Sequence, residues 1–198
     1  MQMTGNQEST IINQIKGGDT RAFSVLVDRY KDLVFTLSLR MLKNREEAEE
    51  VSQDTFVKVY KALSKFKGDS KLSTWVYRVA YNSCLDRIKK NKKGHQEIEI
   101  DSFSEYPLKT LDNALETMEL EEQQTTIRNC LQKLAGKDAF LLTLYYFEEL
   151  SLAEISQVVN LAPNTVKVSI HRARKKLAGI LRQNLEPETI QRYERTRN

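Results

Sequence analysis

The sequence predicts an all-α protein: two small helical domains joined by an acidic linker, the second carrying a helix-turn-helix. Three observations predict it. Apolar residues recur at spacings of three and four over most of the 198 residues, the period of a helix with one buried face. No alternating apolar–polar run of strand length stands out. The periodicity lapses from Gly94 to about Thr117, where the chain turns acidic and contains Pro107. The expected organisation is a first domain at 8–93, a linker at 94–120, a second domain at 121–183 and a C-terminal tail at 184–198.

Taken in order, Phe23, Leu26, Tyr30, Leu33, Leu37 and Met41 form one apolar stripe, and Asp19 is placed to cap that helix after the Gly17-Gly18 break. Behind Asn44, a second candidate cap, the stripe Ala48, Val51, Thr55, Val59 and Leu63 defines the next helix. Lys67-Gly68-Asp69-Ser70 reads as a loop. Trp75, Val76, Val79, Ala80 and Leu85 resume the helical pattern, which runs into a lysine-rich end near Lys93. Bases there suit the negative end of the helix dipole. After the linker, Ile127, Cys130, Leu131 and Leu134, then Phe140, Leu141, Leu144 and Tyr145, restore the period.

Composition sets limits. With 40% apolar and 29% charged residues the chain affords a modest core and a wet surface. No apolar run approaches the ~18–20 residues of a membrane helix, so no membrane insertion is expected. The start of the chain carries no basic-then-apolar secretory pattern. Cys84 and Cys130 read as free buried thiols in a reducing cytoplasm. The formal net charge of +4 conceals blocks. Residues 45–54 hold five acids and one base, whereas Arg87, Lys89, Lys90, Lys92 and Lys93 cluster with only Asp86. From Glu97 to Glu122 nine acids meet Lys109 alone, and Lys167, Arg172, Arg174, Lys175, Lys176 and Arg182 follow with no acid among them. Two basic blocks separated by an acidic one suggest two contacts with a polyanion.

Residues 151–181 are the most informative stretch. Ser151 with Glu154 three residues on makes a capping box for a short helix. Leu161-Ala162 turn the chain, and Pro163 stands where a first helical residue is wanted. Val166, Ile170, Ala173 and Leu177 then line the back of a longer helix, while Asn164, Val168, His171, Arg172 and Lys175 occupy its front, flanked by Lys167 and Ser169. An apolar back and a basic front after a tight turn is the helix-turn-helix pattern, whose second helix enters the major groove. His171 suits a phosphate or base contact; Val168 suits either a thymine methyl or a neighbouring helix.

Three segments carry a family resemblance. Glu47–Phe56, Phe66–Asn82 continuing to Asp86-Arg87, and Thr165–Arg174 resemble, in order, the core-polymerase-binding helix, the −10 element reader and the −35 recognition helix of the extracytoplasmic-function group of sigma-70 factors. The resemblance implies a non-catalytic promoter-specificity subunit of RNA polymerase. Glu46, Glu47, Glu50, Gln53 and Asp54, off the buried stripe, would meet the clamp helices of the largest subunit, and the second domain the flap. Lys67, Lys71, Ser73, Tyr77, Arg78, Asn82, Arg87, Lys89 and Lys90 would hold melted −10 DNA, since a small polar loop beside aromatics and bases suits an unstacked base. Trp75 is read as core. Asn164, Thr165, Lys167, Val168, His171, Arg172, Arg174 and Lys175 would read duplex −35 DNA. The linker would thread toward the RNA exit path, and an anti-sigma factor is a further implied partner. The chain departs from the family pattern at Ala135-Gly136, where Leu-Pro is usual, around Asp138–Phe140, where an Arg is common, and at Val168-Ser169, which replace Ser-Arg.

Two other readings compete. A stand-alone helix-turn-helix regulator would use 151–181 alone and leaves the acidic helix and the 67–73 loop without purpose. A nucleic-acid enzyme lacks support from two distant His, the absence of a Cys/His cluster and the absence of a Gly-x4-Gly-Lys loop. No cofactor or metal is expected.

Overall fold

The computed structural model describes residues 5–92 and 120–184; nearly all of the expected acidic linker, Lys93 and the tail beyond 184 lie outside the described residues. Eight helices account for the described regular structure: α1 (Gly5–Lys16), α2 (Thr20–Leu42), α3 (Arg45–Ala62), α4 (Leu72–Lys92), α5 (Leu120–Lys133), α6 (Gly136–Tyr146), α7 (Leu152–Val159) and α8 (Pro163–Asn184), with a 3-10 turn at Leu63–Lys65.

The caps form as their chemistry dictates. Asp19 accepts from the backbone N–H groups of Arg21 and Ala22, and Asn44 from that of Glu47. Gly18, at φ +92°, supplies the left-handed residue that ends α1. The α2 stripe buries Leu26, Tyr30, Leu37 and Met41, with Phe23 and Leu33 half-buried. The whole stripe from Ala48 on α3 to Leu63 in the following 3-10 turn is buried. Its two hydroxyl side chains avoid a desolvation penalty by bonding back one turn, Ser52 to the Ala48 carbonyl and Thr55 to that of Val51. Trp75 is half-buried and packs on Phe66 with ring centroids 5.2 Å apart, in line with its reading as core. α1 was not expected from the sequence; Ile12 and Ile15 bury it against α2 and the 3-10 turn.

α2, α3 and α4 pack mutually, and α8 packs on α5, α6 and α7. The two halves also close on each other. α2 lies along α6, and α4 along α7, so one apolar cluster runs through both. Tyr81 of α4 meets Phe140 of α6 at 5.0 Å between ring centroids, with Phe140 fully buried. Met41 and Gly136 approach closely: a Cβ on Gly136 would fall 2.4 Å from the Met41 carbonyl oxygen. This joint was not legible in the helical periodicity, which assigns each stripe to a core without saying whose.

Candidate nucleic-acid interface

The helix-turn-helix assembles from the residues that announced it. The Ser151 hydroxyl accepts from the Glu154 N–H, and the Glu154 carboxylate accepts from the Ser151 N–H, closing the capping box of α7. Asn160 takes the left-handed conformation at φ 54° and ends α7, its N–H donating to the Ser156 carbonyl. The Ser156 hydroxyl bonds the Leu161 carbonyl and ties the turn together. Pro163 then opens α8, costing nothing because its missing N–H had no partner in the first turn.

Val166, Ile170 and Ala173 are buried, with Leu177 half-buried. That orientation leaves Asn164, Thr165, Lys167, Val168, His171 and Arg172 exposed on the other side. Val168, 49% exposed, faces solvent rather than a neighbouring helix. Arg174 and Lys175 are half-buried; the Arg174 guanidinium lies 5.8 Å from the centre of the Tyr146 ring. Lys176 pairs with Asp138 at 3.0 Å. This ties the flank of α8 to α6 and restrains its presentation without using the front.

The acidic residues of α3 occupy a separate surface. Glu46, Glu50, Gln53 and Asp54 are exposed and Glu47 is half-buried. Arg87 reaches across from α4, its guanidinium donating to Glu50 at 2.7 Å and lying 4.0 Å from Glu47. The Glu50 hydrogen bond pushes the Arg87 pKa up. Asn91 donates to Glu47 at 2.7 Å. The sequence assigned Arg87 to DNA and the glutamates to protein; the structure brings them together as an ion-paired seam between α3 and α4.

The remaining −10 candidates divide. Lys67, Arg78, Asn82, Lys89 and Lys90 are exposed, and Ser73 is half-buried. Lys71 is exposed but pairs with Glu154 of α7 at 2.8 Å, and this hydrogen bond, above the Ser151 contacts, holds the Glu154 carboxyl below its ordinary range. Tyr77 is 4% exposed, stacks edge-on to Tyr30, and donates to Glu148 at 3.2 Å. Burial raises the Tyr77 pKa, and burial likewise raises that of Glu148. Sequence reasoning missed Glu148, Arg40 and Lys43. Arg40 bonds Thr143 and lies over Phe147, while Lys43 donates to the Gln132 carbonyl at 2.8 Å. Their only sequence signal is Ala135-Gly136, a small pair where the related pattern has Leu-Pro.

Both thiols are free and buried, with burial raising Cys84 to about 11. Among the described residues no group of three His, Cys, Asp or Glu is placed to hold a metal ion, and no helix is long and apolar enough to cross a membrane.

Comparison with known proteins matches residues 26–94 to Sigma-70 region 2 and residues 124–177 to Sigma-70, region 4. The chain is 37% identical over 177 residues to the ECF RNA polymerase sigma factor SigW of Bacillus subtilis (strain 168), covering 86% of this chain and 95% of that one. It is 31% identical over 193 residues to the RNA polymerase sigma-H factor of Pseudomonas aeruginosa, covering 91% and 99%. Among solved structures, CnrH in complex with the cytosolic domain of CnrY shares the fold at TM-score 0.61 and 23% identity, over 90% of this chain and 99% of that one. The sigma factor RpoE in complex with the anti-sigma factor NepR from Bartonella quintana does so at 0.60 and 18%, over 82% and 98%.

Proposed function

The chain belongs to the extracytoplasmic-function sigma factors of the sigma-70 family, and on that premise we propose how its surfaces divide the work. As a sigma subunit it binds core RNA polymerase and promoter DNA, directs transcription initiation and catalyses no chemistry itself.

The exposed front of α8 enters the major groove at −35. Arg172 and His171 donate to base edges or phosphates, Val168 meets a thymine methyl, and Lys167, Arg174 and Lys175 hold the backbone. The loop at Lys67–Ser73 and the outer face of α4, with Arg78, Asn82, Lys89 and Lys90, take the melted −10 strand, and Lys71, Tyr77 and Arg87 join them once their intramolecular partners release them. Capturing unstacked bases there offsets the few kcal/mol of unpairing. Glu46, Glu47, Glu50, Gln53 and Asp54 dock the clamp helices of the largest subunit, and the second domain approaches the flap. The domains divide at 8–93 and 121–183, with the acidic 94–120 segment linking them through the enzyme. An anti-sigma protein is a further partner, as NepR is for the Bartonella quintana RpoE. The work is cytoplasmic.

The observation that carries this reading is the opposition of two exposed faces on one chain: a basic α8 front over an apolar back, and an acidic α3 face that DNA would repel. Holoenzyme carrying Lys89→Ala with Lys90→Ala tests the α4 assignment. Its affinity for promoter DNA should fall less steeply with salt, by up to about two in the log–log slope for two lost phosphate contacts. An unaltered slope removes those lysines from the interface.

A further inference from the structure

α1 holds both ends of one loop. Glu8, Ile12 and Lys16 follow one another at helical spacing along one side of it. Ile12 and Ile15 are buried and seat the helix against α2 and the 3-10 turn. Glu8 and Lys16 then stand about 12 Å apart along the helix axis. The half-buried Glu8 carboxylate accepts from the Leu72 N–H at 3.4 Å. The exposed Lys16 ammonium donates to the Phe66 carbonyl at 3.3 Å. Phe66 and Leu72 are the residues on either side of the Lys67–Lys71 loop.

Each contact answers a local need. Leu72 opens α4, and an N–H in the first turn of a helix has no partner within the helix. A carboxylate also suits the positive end of the helix dipole. Phe66 is held by its side chain as well, through its ring on Trp75. Between these ends, no hydrogen bond among the described residues holds Lys67, Gly68, Asp69 or Ser70. Gly68 takes φ +83°, with no atom within 4 Å of where a Cβ would stand. The shape of the loop therefore depends on where its two ends are fixed. Both ties lie inside the first half, so they hold however the second half sits.

We propose that α1 is a brace for the −10 reader. Glu8 and Lys16 are positioning residues that fix the width of the 67–71 loop and so decide how sharply it tells one unstacked base from another. The proposal rests on the assignment of that loop to −10 DNA. Neither side chain needs to touch the DNA. A loop already held in its binding shape loses little freedom on taking the right base, whereas a slack one re-packs around a wrong base.

Polymerase reconstituted with the wild-type chain, Glu8→Ala, Glu8→Gln, Lys16→Met, or Lys67→Ala with Asp69→Ala tests this. The probes are the non-template −10 strand of a promoter that the wild-type holoenzyme uses, and the same strand with each base changed singly. The ratio of matched to mismatched affinity is read, a quantity that the fraction of active protein cannot alter. At the position where the wild type discriminates most, Glu8→Ala and Lys16→Met should each shrink the ratio roughly fivefold, the equivalent of one lost helix-cap bond. Glu8→Gln, which keeps an oxygen for the Leu72 N–H, should stay near the wild-type ratio. Affinity for duplex carrying the −35 element of the same promoter should not change in any variant. Glu8→Ala and Lys16→Met that weaken matched and mismatched strands equally overturn the brace. So does a ratio that falls in the Lys67/Asp69 double variant alone, which upholds the loop as the reader. A ratio unmoved in every variant removes the loop from −10 DNA, and the brace with it.

Discussion

Asp54→Lys separates docking on polymerase from folding. Asp54 is exposed near the middle of α3, on the side away from the buried Val51, Thr55 and Val59. An exposed substitution of this kind changes stability by no more than about 0.5 kcal/mol. For a chain of this size that is a melting shift of at most about 2 °C. At the interface the reckoning differs. If Asp54 pairs with a base of the clamp helices as proposed, losing one partner of a buried charge pair costs about 2–5 kcal/mol, and a lysine there adds like-charge repulsion. At about 1.4 kcal/mol per decade, the dissociation constant for core polymerase rises roughly thirtyfold at the low end and several-thousandfold at the high end. Titration of fluorescently labelled chain with core enzyme reads the affinity, and thermal denaturation reads the fold. A variant that melts normally and binds core as the wild type does would refute the docking assignment.

Two other predictions follow from packing and titration. Phe140→Ala removes a fully buried ring that bridges the halves through Tyr81, and chemical denaturation should show a loss of about 3–5 kcal/mol; a loss under about 1 kcal/mol would mean the ring is not in the core. Glu154, held below its ordinary 4.5 first by Lys71 and then by Ser151, contributes stability that is complete above pH 4.5 and disappears as pH falls through its depressed value. Stability curves of wild type and Glu154→Gln should therefore differ near neutrality and converge in acid, whereas a gap independent of pH would contradict the ion-paired capping box.

Much of this molecule was legible in its sequence because local chemistry decides it. Asp19, Asn44 and Ser151 cap where their side chains reach backbone N–H groups, and the stripe from Ala48 to Leu63 could face only a core. The front and back of α8 separated cleanly for the same reason: four buried or half-buried positions at helical spacing fix the rotation of the helix. The joint was not legible. A stripe records that a face is buried, not against what, and Tyr77 and Tyr81 satisfy the α4 pattern whether they meet their own half or the other. The charges of Arg87, Glu47 and Glu50 read as two blocks with separate targets because nothing local says that α3 and α4 lie side by side. Only Gly136, in place of a bulkier residue, hinted that another backbone comes close there.

The central claim is that this chain selects promoters for RNA polymerase by two DNA-reading faces. Core polymerase reconstituted with the purified chain on fragmented genomic DNA, with transcript 5′ ends mapped by sequencing, measures it directly. A discrete set of starts absent with core alone is expected, sharing upstream elements near −35 and −10, with the set lost in Arg172→Ala holoenzyme. Start sites identical with and without the chain would contradict it.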